Sequence, residues 1–571
     1  MITKINSKVK WMVCAALFTI YYPLFTGCSD FLDILPMNET VLENFWTEKE
    51  DVTNVRKSCY ESLASKDAIC RIGLWSELRS DNLKAGGGVE HDVNEILKEN
   101  LLPSNSFCKW AKIYECINRC NTVCYYAPKV QAIDPNYALE EMKADVAEVT
   151  TLRALCYFYL IRTFRDVPYT TEASIDDSQT FIIPATPFEG VLDSLINSLE
   201  RVKDDAVKRY ELETVSGTYY SFPVENSSRI TRVAVYALLA DLYLWKQDYD
   251  NAIRYCDLAL DYKRQQYDDL KARLGGEIEE IDLFDEIPMI LESTAGSTTC
   301  GSTYNAIFGN GNSFESIFEL HFSTSPNLEN VWVRDYFGSA TRDGRLTAND
   351  LMFDKTQNVI DNKNKLYTKT DGRFYESFSE SSSSMNIGKY VRSSVSYKTK
   401  GVGNVTALGL NPKTRGDNTA PWIFYRLTDM MLIKAEALVE REAPGDFNEA
   451  FRLINLVNKR ANNLTETLKA SDYVTSKAEM QKLVMDERQR EFMFEGKRWF
   501  DLVRYSRREG STSYLTNAVL NKIEGNAGAI RAKFADMNYI YFPYAKEELK
   551  VNSLLQQNPA FSNGEDSNFK R

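Results

Sequence analysis

Residues 229–262, RITRVAVYALLADLYLWKQDYDNAIRYCDLALDY, decide the fold of this chain. The turn at residues 247–249 separates two stretches in which apolar residues recur with helical spacing. Small or aromatic residues follow one another at spacings of 3, 9 and 7 along the segment: Ala240, Tyr243, Ala252 and Ala259. Because small residues let two antiparallel helices approach while an aromatic ring fills the gap, this stretch predicts a helical hairpin.

The pattern returns elsewhere in the chain. A second copy begins at Arg426 and has an apolar stripe at Met431, Ala435 and Leu438. It passes through the turn 444–446, with Asp446 as the helix N-cap, and continues to Val457. A weaker copy lies at 147–164, where Ala154 and Tyr157 are placed like Ala240 and Tyr243. Such hairpins are the skeleton of tetratricopeptide (TPR) repeats, which must stack to bury their faces. We therefore predict a mostly α fold, a TPR-like helical superhelix with long loop insertions and short β-elements.

Three long irregular stretches interrupt the helical pattern, at residues 166–187, 265–326 and 371–419. They are rich in turn-forming and β-forming residues, including the serine run 381–384. Long loops on a rigid frame are where proteins commonly place binding sites. The insertions are therefore the segments in which we look for function.

The first 28 residues have the layout of a secretory signal. Three lysines precede an apolar run from Trp11 to Phe25, and Gly27 precedes Cys28. A cysteine at this place predicts a bacterial lipoprotein signal peptide over residues 1–27, with an acylated thiol on Cys28. The alternative is a transmembrane anchor, but the run of about 15 residues is shorter than the ~20 that a spanning helix needs. We expect attachment to the membrane through the lipid alone.

Composition excludes several classes of function. The 571-residue chain carries a net charge of -12, which argues against nucleic-acid binding because phosphate contacts need clustered Lys and Arg. The sequence contains neither GxGxxG nor GxxxxGK[ST], so no nucleotide motif is present. Only His91 and His321 exist, which rules out a three-histidine metal site and leaves any Ser-His-Asp arrangement just two histidines to use. No residue pattern specifically proposes an enzyme or a cofactor.

The cysteines outside the signal and the anchor number nine, so they cannot all pair within the chain. Cys116, Cys120 and Cys124 would line one stripe of a helix, either as a metal site with Cys108 or as small buried thiols. We favour buried thiols because thiolates stacked along one helix diverge. The Asp- and Asn-rich loop from Asn349 to Asn364 lacks EF-hand order, so we assign no metal there, although a structural Ca²⁺ stays open.

Ordered motifs along nearly all of the mature chain resemble the SusD/RagB family of surface glycan-binding lipoproteins. The motifs that carry the resemblance are Cys28 to Asp33, Phe45 to Glu48, Glu77 to Asn82, Thr151 to Pro168, Tyr425 to Ala437, Glu487 to Arg504 and Gln557 to Pro559. The charges at Arg488, Arg490, Glu491 and Arg498 within them are expected to satisfy one another and nearby helix ends. We expect residues 28–571 to form a single SusD-like domain, with an N-terminal part at 28–225 and a TPR-like unit plus C-terminal RagB/SusD part at 226–571.

The resemblance implies a binding protein without catalytic activity. Members of the family sit as a lid on an outer-membrane TonB-dependent transporter of the SusC type and deliver oligosaccharides, or in some cases peptides, into it. This implies an outer-membrane lipoprotein, exposed at the cell surface, that binds oligo- or polysaccharide. The alternatives are a peptide-binding lid, a structural lid with little ligand affinity of its own and, last, a glycosidase.

Glycan sites stack sugar faces on exposed aromatic rings and read hydroxyls with polar side chains. Aromatic candidates in the loop-rich central region are Tyr304, Phe308, Trp332, Tyr336 and Phe337, with Arg334 and Asp335 as hydroxyl partners and Trp75 lining the same face. For each ring the alternative is an aromatic packed beneath a loop. The loop from Ala85 to Leu102, where many relatives place a ring, has no aromatic residue except His91.

Overall fold

The computed structural model describes residues 45–564 except 176–181, 212, 216–218, 276–277, 279–280, 293–298, 326–327, 350–365, 368–370, 381–384, 400–404, 409–411, 417–418, 463 and 523–524. The signal peptide predicted at 1–27, the anchor at Cys28 and the loop after Asn349 lie outside these residues. The helices of the N-terminal half are α1 (Lys49–Ala64), α2 (Lys66–Glu77), α3 (His91–Leu97), α4 (Ala111–Gln131), α5 (Leu139–Phe164), α6 (Phe188–Val202), α7 (Glu225–Ser228), α8 (Arg232–Lys246) and α9 (Tyr249–Leu274). Those that follow are α10 (Ser302–Tyr304), α11 (Gly372–Ser377), α12 (Leu427–Arg441), α13 (Asp446–Ala461), α14 (Lys477–Glu491), α15 (Arg498–Glu509), α16 (Ser513–Leu520), α17 (Ala527–Phe534) and α18 (Lys546–Val551).

The long helices pack as antiparallel neighbours, α1 on α4, α4 on α5, α8 on α9, α9 on α12 and α12 on α13. The hairpin predicted from residues 229–262 is the α8–α9 pair. Gln247 ends α8 in the left-handed region (φ 61°), and the Asp248 carboxylate caps α9 by accepting from the Asn251 backbone N–H at 3.2 Å. The rings of Tyr243 and Tyr255 stack with centroids 5.7 Å apart. The mostly α, TPR-like fold is thereby confirmed.

Two predicted boundaries are wrong. Gly445, not Asp446, is the N-cap of α13, with φ 91°. Asp446 is the first residue of the helix, and its carboxylate accepts from the Ala443 backbone N–H at 2.8 Å and pairs with Arg441. The second insertion also begins later than residue 265, since α9 continues to Leu274. Buried residues beyond Tyr262, among them Lys263 and Tyr267, explain why so polar a stretch stays helical.

The strands are short, with two to five residues each. They are β1 (Leu83–Ala85), β2 (Val167–Pro168), β3 (Ala185–Thr186), β4 (Glu213–Val215), β5 (Tyr219–Ser221), β6 (Ile281–Phe284), β7 (Ile287–Ile290), β8 (Thr299–Cys300), β9 (Ser316–Leu320), β10 (Gly338–Ser339), β11 (Arg342–Asp343), β12 (Leu346–Ala348), β13 (Phe378–Glu380), β14 (Met385–Ile387), β15 (Arg392–Ser394), β16 (Tyr397–Thr399), β17 (Val405–Leu408), β18 (Lys413–Thr414) and β19 (Trp422–Arg426). All the observed pairs are antiparallel: β1–β12, β2–β3, β4–β5, β6–β7, β8–β16, β9–β19, β10–β11, β13–β14, β15–β18 and β16–β17. The β9–β19 pair is buried along its whole length and leads directly into α12.

Buried ion pairs connect the insertions to the helices. Arg426 donates to Glu491 Oε1 at 2.7 Å and to Glu495 at 2.9 Å, while Arg373 from α11 reaches Glu491 at 2.8 Å. The four motif charges do not satisfy one another as expected, because tertiary packing brings closer partners. Those partners are Asp501 for Arg488, Glu487 for Arg490, Arg426 for Glu491 and Asp81 for Arg498. These charges are architectural, since each is buried and paired.

The cysteines of α4 pack against neighbouring helices as free thiols, as the sequence predicts. Cys116 and Cys120 are buried, Cys124 is partly buried, and the Cys116 thiol donates to the Cys59 carbonyl of α1 at 3.4 Å. Within the described part of the chain no group of His, Cys, Asp and Glu side chains could hold a metal ion. Over the same residues, every helix is too short or too polar to cross a membrane.

Candidate ligand-binding face

A wide helical turn over Val333–Phe337 carries four of the eight predicted site residues, namely Arg334, Asp335, Tyr336 and Phe337. Its start is held by Asn330, whose side chain accepts from the Val333 backbone N–H at 3.1 Å and donates to the Ala420 carbonyl at 2.8 Å. It ends at Gly338, where φ is 118°, a conformation that glycine adopts without strain. Turns of this π type recur at functional sites.

Two further segments meet this turn. Strand β12 pairs with β1 in the register Leu83 to Ala348, so the loop after Ala85 lies beside the residues before Leu346. The Gly86 N–H donates to the Arg345 carbonyl at 2.8 Å, and a Cβ at Gly86 would lie 2.9 Å from that same backbone. The close approach therefore needs glycine at this position.

Charged side chains from the three segments converge on this face. We call them the Asp335 cluster: Glu90, Glu329, Arg334, Asp335, Arg342 and Arg345. Asp335 Oδ1 accepts from Arg334 Nε at 2.7 Å and from Arg342 Nη1 at 3.0 Å. Arg334 also pairs with Glu329, and Arg345 pairs with Glu90. The side chain of Arg342 is 54% exposed, whereas that of Asp335 is 7% exposed. The cluster thus has a buried acidic centre and an outer surface of mixed charge, since the side chains of Glu90 and Glu329 are 39% and 30% exposed beside the arginines.

The neighbouring arginines keep the Asp335 carboxylate ionised. Burial opposes ionisation of Asp335, but the hydrogen bond and charge of Arg334, with the charges of Arg345 and Arg342, hold its pKa below the usual value. Burial, followed by Cys70 and Glu90, raises the pKa of Tyr336 well above the usual value. Its protonated hydroxyl makes a long hydrogen bond of 3.5 Å to Glu90. Guanidinium groups held in this way can donate to ligand hydroxyls or carboxylates.

The candidate aromatic rings are packed in the core, which is the alternative stated for each of them. The six rings are at most 5% exposed: Trp75, Tyr304, Phe308, Trp332, Tyr336 and Phe337. Trp332 is fully buried because the helix α2 has a glycine opposite it. A Cβ at Gly73 would lie only 2.3 Å from Trp332 Cε2. A sugar has no ring face to stack on at Trp332 in this structure, so the packing alternative describes this residue.

The structure brings some of the predicted residues together and separates others. Trp332, Tyr336 and Phe337 share one packed cluster, with ring centroids 4.9 Å and 5.1 Å from Trp332. Tyr304 and Phe308 form another, which reaches Trp332 only through buried Tyr390 and Trp422. Trp75 lies elsewhere in the core, where its Nε1–H donates to the Phe107 carbonyl at 2.8 Å. The aromatic residues therefore support the face from beneath.

Sequence reasoning missed four members of the Asp335 cluster, namely Glu90, Glu329, Arg342 and Arg345. In the loop from Ala85 to Leu102 a single carboxylate such as Glu90 carries no local pattern that marks it as a site residue. The run of residues 342–345, RDGR, carries a turn signal between two arginines. This pattern indicates an exposed, charged turn close to Asp335 in the sequence.

His321 is not part of a nucleophile arrangement. Its Nε2 lies 2.9 Å from Glu319 Oε1, and the hydroxyls of Ser316 and Ser227 donate to the same carboxylate at 3.0 Å and 3.3 Å. A nucleophilic serine would need its hydroxyl against the imidazole, with the carboxylate on the far side of the ring. Here the Glu319 carboxylate contacts both the imidazole and the serine hydroxyls, so the group forms a structural hydrogen-bond network.

Comparisons with known proteins agree along the chain. Residues 334–561 match the model of the SusD family, and residues 30–244 match a family described as starch-binding associating with outer membrane. The curated SusD-like protein P38 of Formosa agariphila is 24% identical over 520 residues, covering 87% of this chain and 92% of its own. SusD-like protein P25 of the same organism is 23% identical, covering 94% and 96%.

Solved structures share the fold. A SusD superfamily protein from Bacteroides thetaiotaomicron superposes with a TM-score of 0.64 at 18% identity, covering 90% of this chain and 99% of its own. A putative sugar binding protein from Bacteroides vulgatus gives a TM-score of 0.61 at 18% identity, with coverage of 90% and 99%. NanU of Bacteroides fragilis gives 0.59 at 16% identity, with coverage of 93% and 100%.

Proposed function

The chain belongs to the SusD/RagB family, and from this premise we propose that it captures oligo- or polysaccharide at the cell surface and delivers it to a SusC-type TonB-dependent outer-membrane transporter. The observation that carries the proposal is that family matches cover residues 30–244 and 334–561, one of them to a family described as starch-binding. In this proposal the protein is a lipoprotein of the outer membrane, attached by the lipid on Cys28. It binds its ligand and does no chemistry on it.

We assign the ligand contact to the Asp335 cluster. The guanidinium groups of exposed Arg342 and half-buried Arg345 are anchored by the buried Asp335 and the half-buried Glu90, so their positions are largely set before a ligand arrives. Preorganised donors lose little conformational entropy on binding. The packed rings beneath them make the surface rigid. Hydrogen bonding to hydroxyls therefore supports recognition here, in place of ring stacking at Trp332.

A peptide-binding lid of the same kind of transporter is the second candidate. It is favoured by the mixed charge of the Asp335 cluster, because Arg342 could meet a peptide carboxylate while Glu90 and Glu329 meet basic side chains. A structural lid with little ligand affinity is the third. The burial of all six predicted rings supports it, since a stacking platform at those residues is missing.

The test uses the mature chain carrying Cys28→Ser, which keeps it free of lipid. Binding to plant, microbial and host polysaccharides and to a peptide digest is measured by native affinity electrophoresis and calorimetry. The double variant Arg342→Ala/Arg345→Ala should weaken glycan binding at least tenfold, because two charge-assisted hydrogen bonds, at about 1.5–3 kcal/mol each, are lost. Arg273→Ala is the matched control, since Arg273 is an exposed arginine paired with Glu211 far from the cluster in sequence.

The outcomes separate the candidates. Glycan binding that the double variant loses and the control keeps supports glycan capture at the cluster. Binding of peptides alone transfers the proposal to peptide capture. If neither glycan nor peptide binds and the lipidated protein co-purifies with a transporter, the result supports the structural lid.

A further inference from the structure

A second polar cavity lies away from the Asp335 cluster, between helices α14 and α16. Its volume is about 510 Å³, within the range of small-ligand sites. The described residues that line it are Asp81, Asn349, Leu366, Lys482, Asp486, Gln489, Arg498, Tyr514, Asn517, Ala518 and Asn521. The members of the Asp335 cluster are absent from this lining.

Two helix faces form the walls. Lys482, Asp486 and Gln489 stand at positions i, i+4 and i+7 of α14 and so share one stripe of that helix. Tyr514, Asn517 and Asn521 stand at i, i+3 and i+7 on and just after α16. Each wall therefore brings amide or hydroxyl groups to the same space, and one wall adds an aromatic ring.

The floor is a buried ion pair whose arginine keeps an unpaired Nη1 amino group. Arg498 donates from Nε to Asp81 Oδ1 at 2.8 Å and from Nη2 to Oδ2 at 3.1 Å. Arg498 is only 4% exposed, and its Nη1 has no hydrogen-bond partner among the described residues. Gln489, which is 6% exposed, is held by its donation to Asn82 Oδ1 at 2.9 Å. An unpaired buried donor is costly, so an acceptor in the cavity would relieve it.

The charges of the lining cancel in pairs. Asp81 neutralises Arg498, and Lys482 Nζ lies 2.7 Å from Asp486 Oδ2. An anionic ligand at the Arg498 Nη1 would meet the carboxylate of Asp81, whereas a hydroxyl can accept from Nη1 and donate to an amide oxygen. Fixed donors, amide side chains and a partly exposed ring suit a polyhydroxylated neutral molecule.

From this geometry we propose that the cavity between α14 and α16 is a binding site for a neutral glycosyl unit. Arg498 Nη1 donates to one of its hydroxyls, and Asn517 and Asn521 contact others at the rim. Tyr514 packs against an apolar face of the sugar. This site is separate from the Asp335 cluster and does not rest on the function proposed for that cluster.

Ligand-observed NMR and calorimetry on the mature chain carrying Cys28→Ser test the site. The probes are D-glucose, D-galactose, D-mannose and D-xylose, with D-glucuronate as the anionic counterpart. At least one neutral sugar should bind with a millimolar Kd. Tyr514→Ala and Asn517→Ala should each weaken that binding by about tenfold, through loss of the packing or of a hydrogen bond.

The controls are Tyr125→Ala and Asn54→Ala, two exposed residues outside the cavity lining, and both should leave the affinity unchanged. The variant Arg342→Ala/Arg345→Ala should also bind the neutral sugar normally, so failure of the function proposed for the Asp335 cluster would not affect this result. Three outcomes overturn the proposal: no neutral sugar binds, glucuronate binds more tightly than any neutral sugar, or both cavity variants bind like the controls.

Discussion

Replacing Trp332 with alanine is expected to destabilise the protein through lost packing, and a second substitution at Gly73 reports on the same contact. The indole is fully buried, and the described structure places its ring against the surface of α2 where Gly73 has no side chain. Burying a tryptophan removes about 150–250 Å² from water, worth ~4–6 kcal/mol at about 25 cal/mol per Å². Trp332 Nε1 lacks a hydrogen-bond partner among the described residues, which costs about 1–3 kcal/mol in the native protein. The net loss for Trp332→Ala is therefore about 3 kcal/mol, within a range of about 1–5 kcal/mol.

The effect of Gly73→Ala on the free energy of unfolding should have opposite signs in the native protein and in the Trp332→Ala variant. In an open helix interior this substitution stabilises by about 1 kcal/mol. In the native protein the new methyl would lie 2.3 Å from Trp332 Cε2 and 2.4 Å from Cδ2, and such overpacking costs about 1–3 kcal/mol. Once Trp332 is alanine the space is free, so Gly73→Ala should stabilise that variant by up to about 1 kcal/mol. The non-additivity of about 2–3 kcal/mol exceeds the ~0.5 kcal/mol seen for independent sites.

Chemical denaturation followed by circular dichroism gives the free energy of unfolding of the four proteins in this cycle. Gly190→Ala is a matched helical control, because Gly190 is exposed on α6 and the nearest atom to its new Cβ is a threonine methyl at 3.3 Å. It should be neutral or slightly stabilising. A stable Trp332→Ala protein that loses glycan binding would refute the packing argument. So would a neutral or stabilising Gly73→Ala in the native background.

Two buried ion pairs give further predictions. Burial opposes ionisation of Glu436, but Arg504 in particular lowers its pKa from 4.5 to about 2. The folded state therefore gains about 3 kcal/mol from this carboxylate above pH ~4.5, and the gain disappears as the pH falls to about 2. The difference in unfolding free energy between the native protein and Glu436→Gln should follow that pH dependence. The control is Glu442→Gln, because Glu442 is half-exposed just past the end of the same helix, and its unfolding free energy should stay close to that of the native protein at each pH. The prediction is contradicted if the unfolding free energies of the two variants depend on pH in the same way. Arg79→Met removes the 2.8 Å partner of the fully buried Glu99 and leaves it the weaker pair with Lys522, whose Nζ lies 3.7 Å from Oε1, so the change should cost about 3 kcal/mol. Adding Glu99→Gln should recover part of that loss in a denaturation experiment, and no recovery would argue that Lys522 already compensates the charge.

The α8–α9 hairpin was predictable almost residue by residue because its determinants are local. A left-handed Gln247 and a capping Asp248 follow from the turn, and the small residues follow from helical spacing. The extension of α9 past Gln265 was not predictable in this way. Lys263 is held by the carbonyls of Phe314 and Ser316 at 2.7 Å and 2.8 Å, two residues that are remote in sequence.

In the candidate site, too, local features were predictable and contacts between distant residues were not. The sequence pointed to the segment around Trp332 and to Arg334 and Asp335 as polar partners. It could not show which of them face solvent, because the burial of Trp332 depends on Gly73 in a distant helix. Nor could it show that Glu90 and Arg345 join the cluster, since the β1–β12 pairing brings them together.

The sequence by itself determined the helical architecture, the family and the candidate segments for ligand binding. Helix periodicity, turns and ordered motifs depend on residues that are close together in the chain. The tertiary structure decided which aromatic rings are core and which charges converge into a surface. It also placed the buried Arg498 N–H at the base of a polar cavity. The physical reason is that burial and ion pairing depend on contacts between residues far apart in the chain, and spacing along the sequence does not encode those distances.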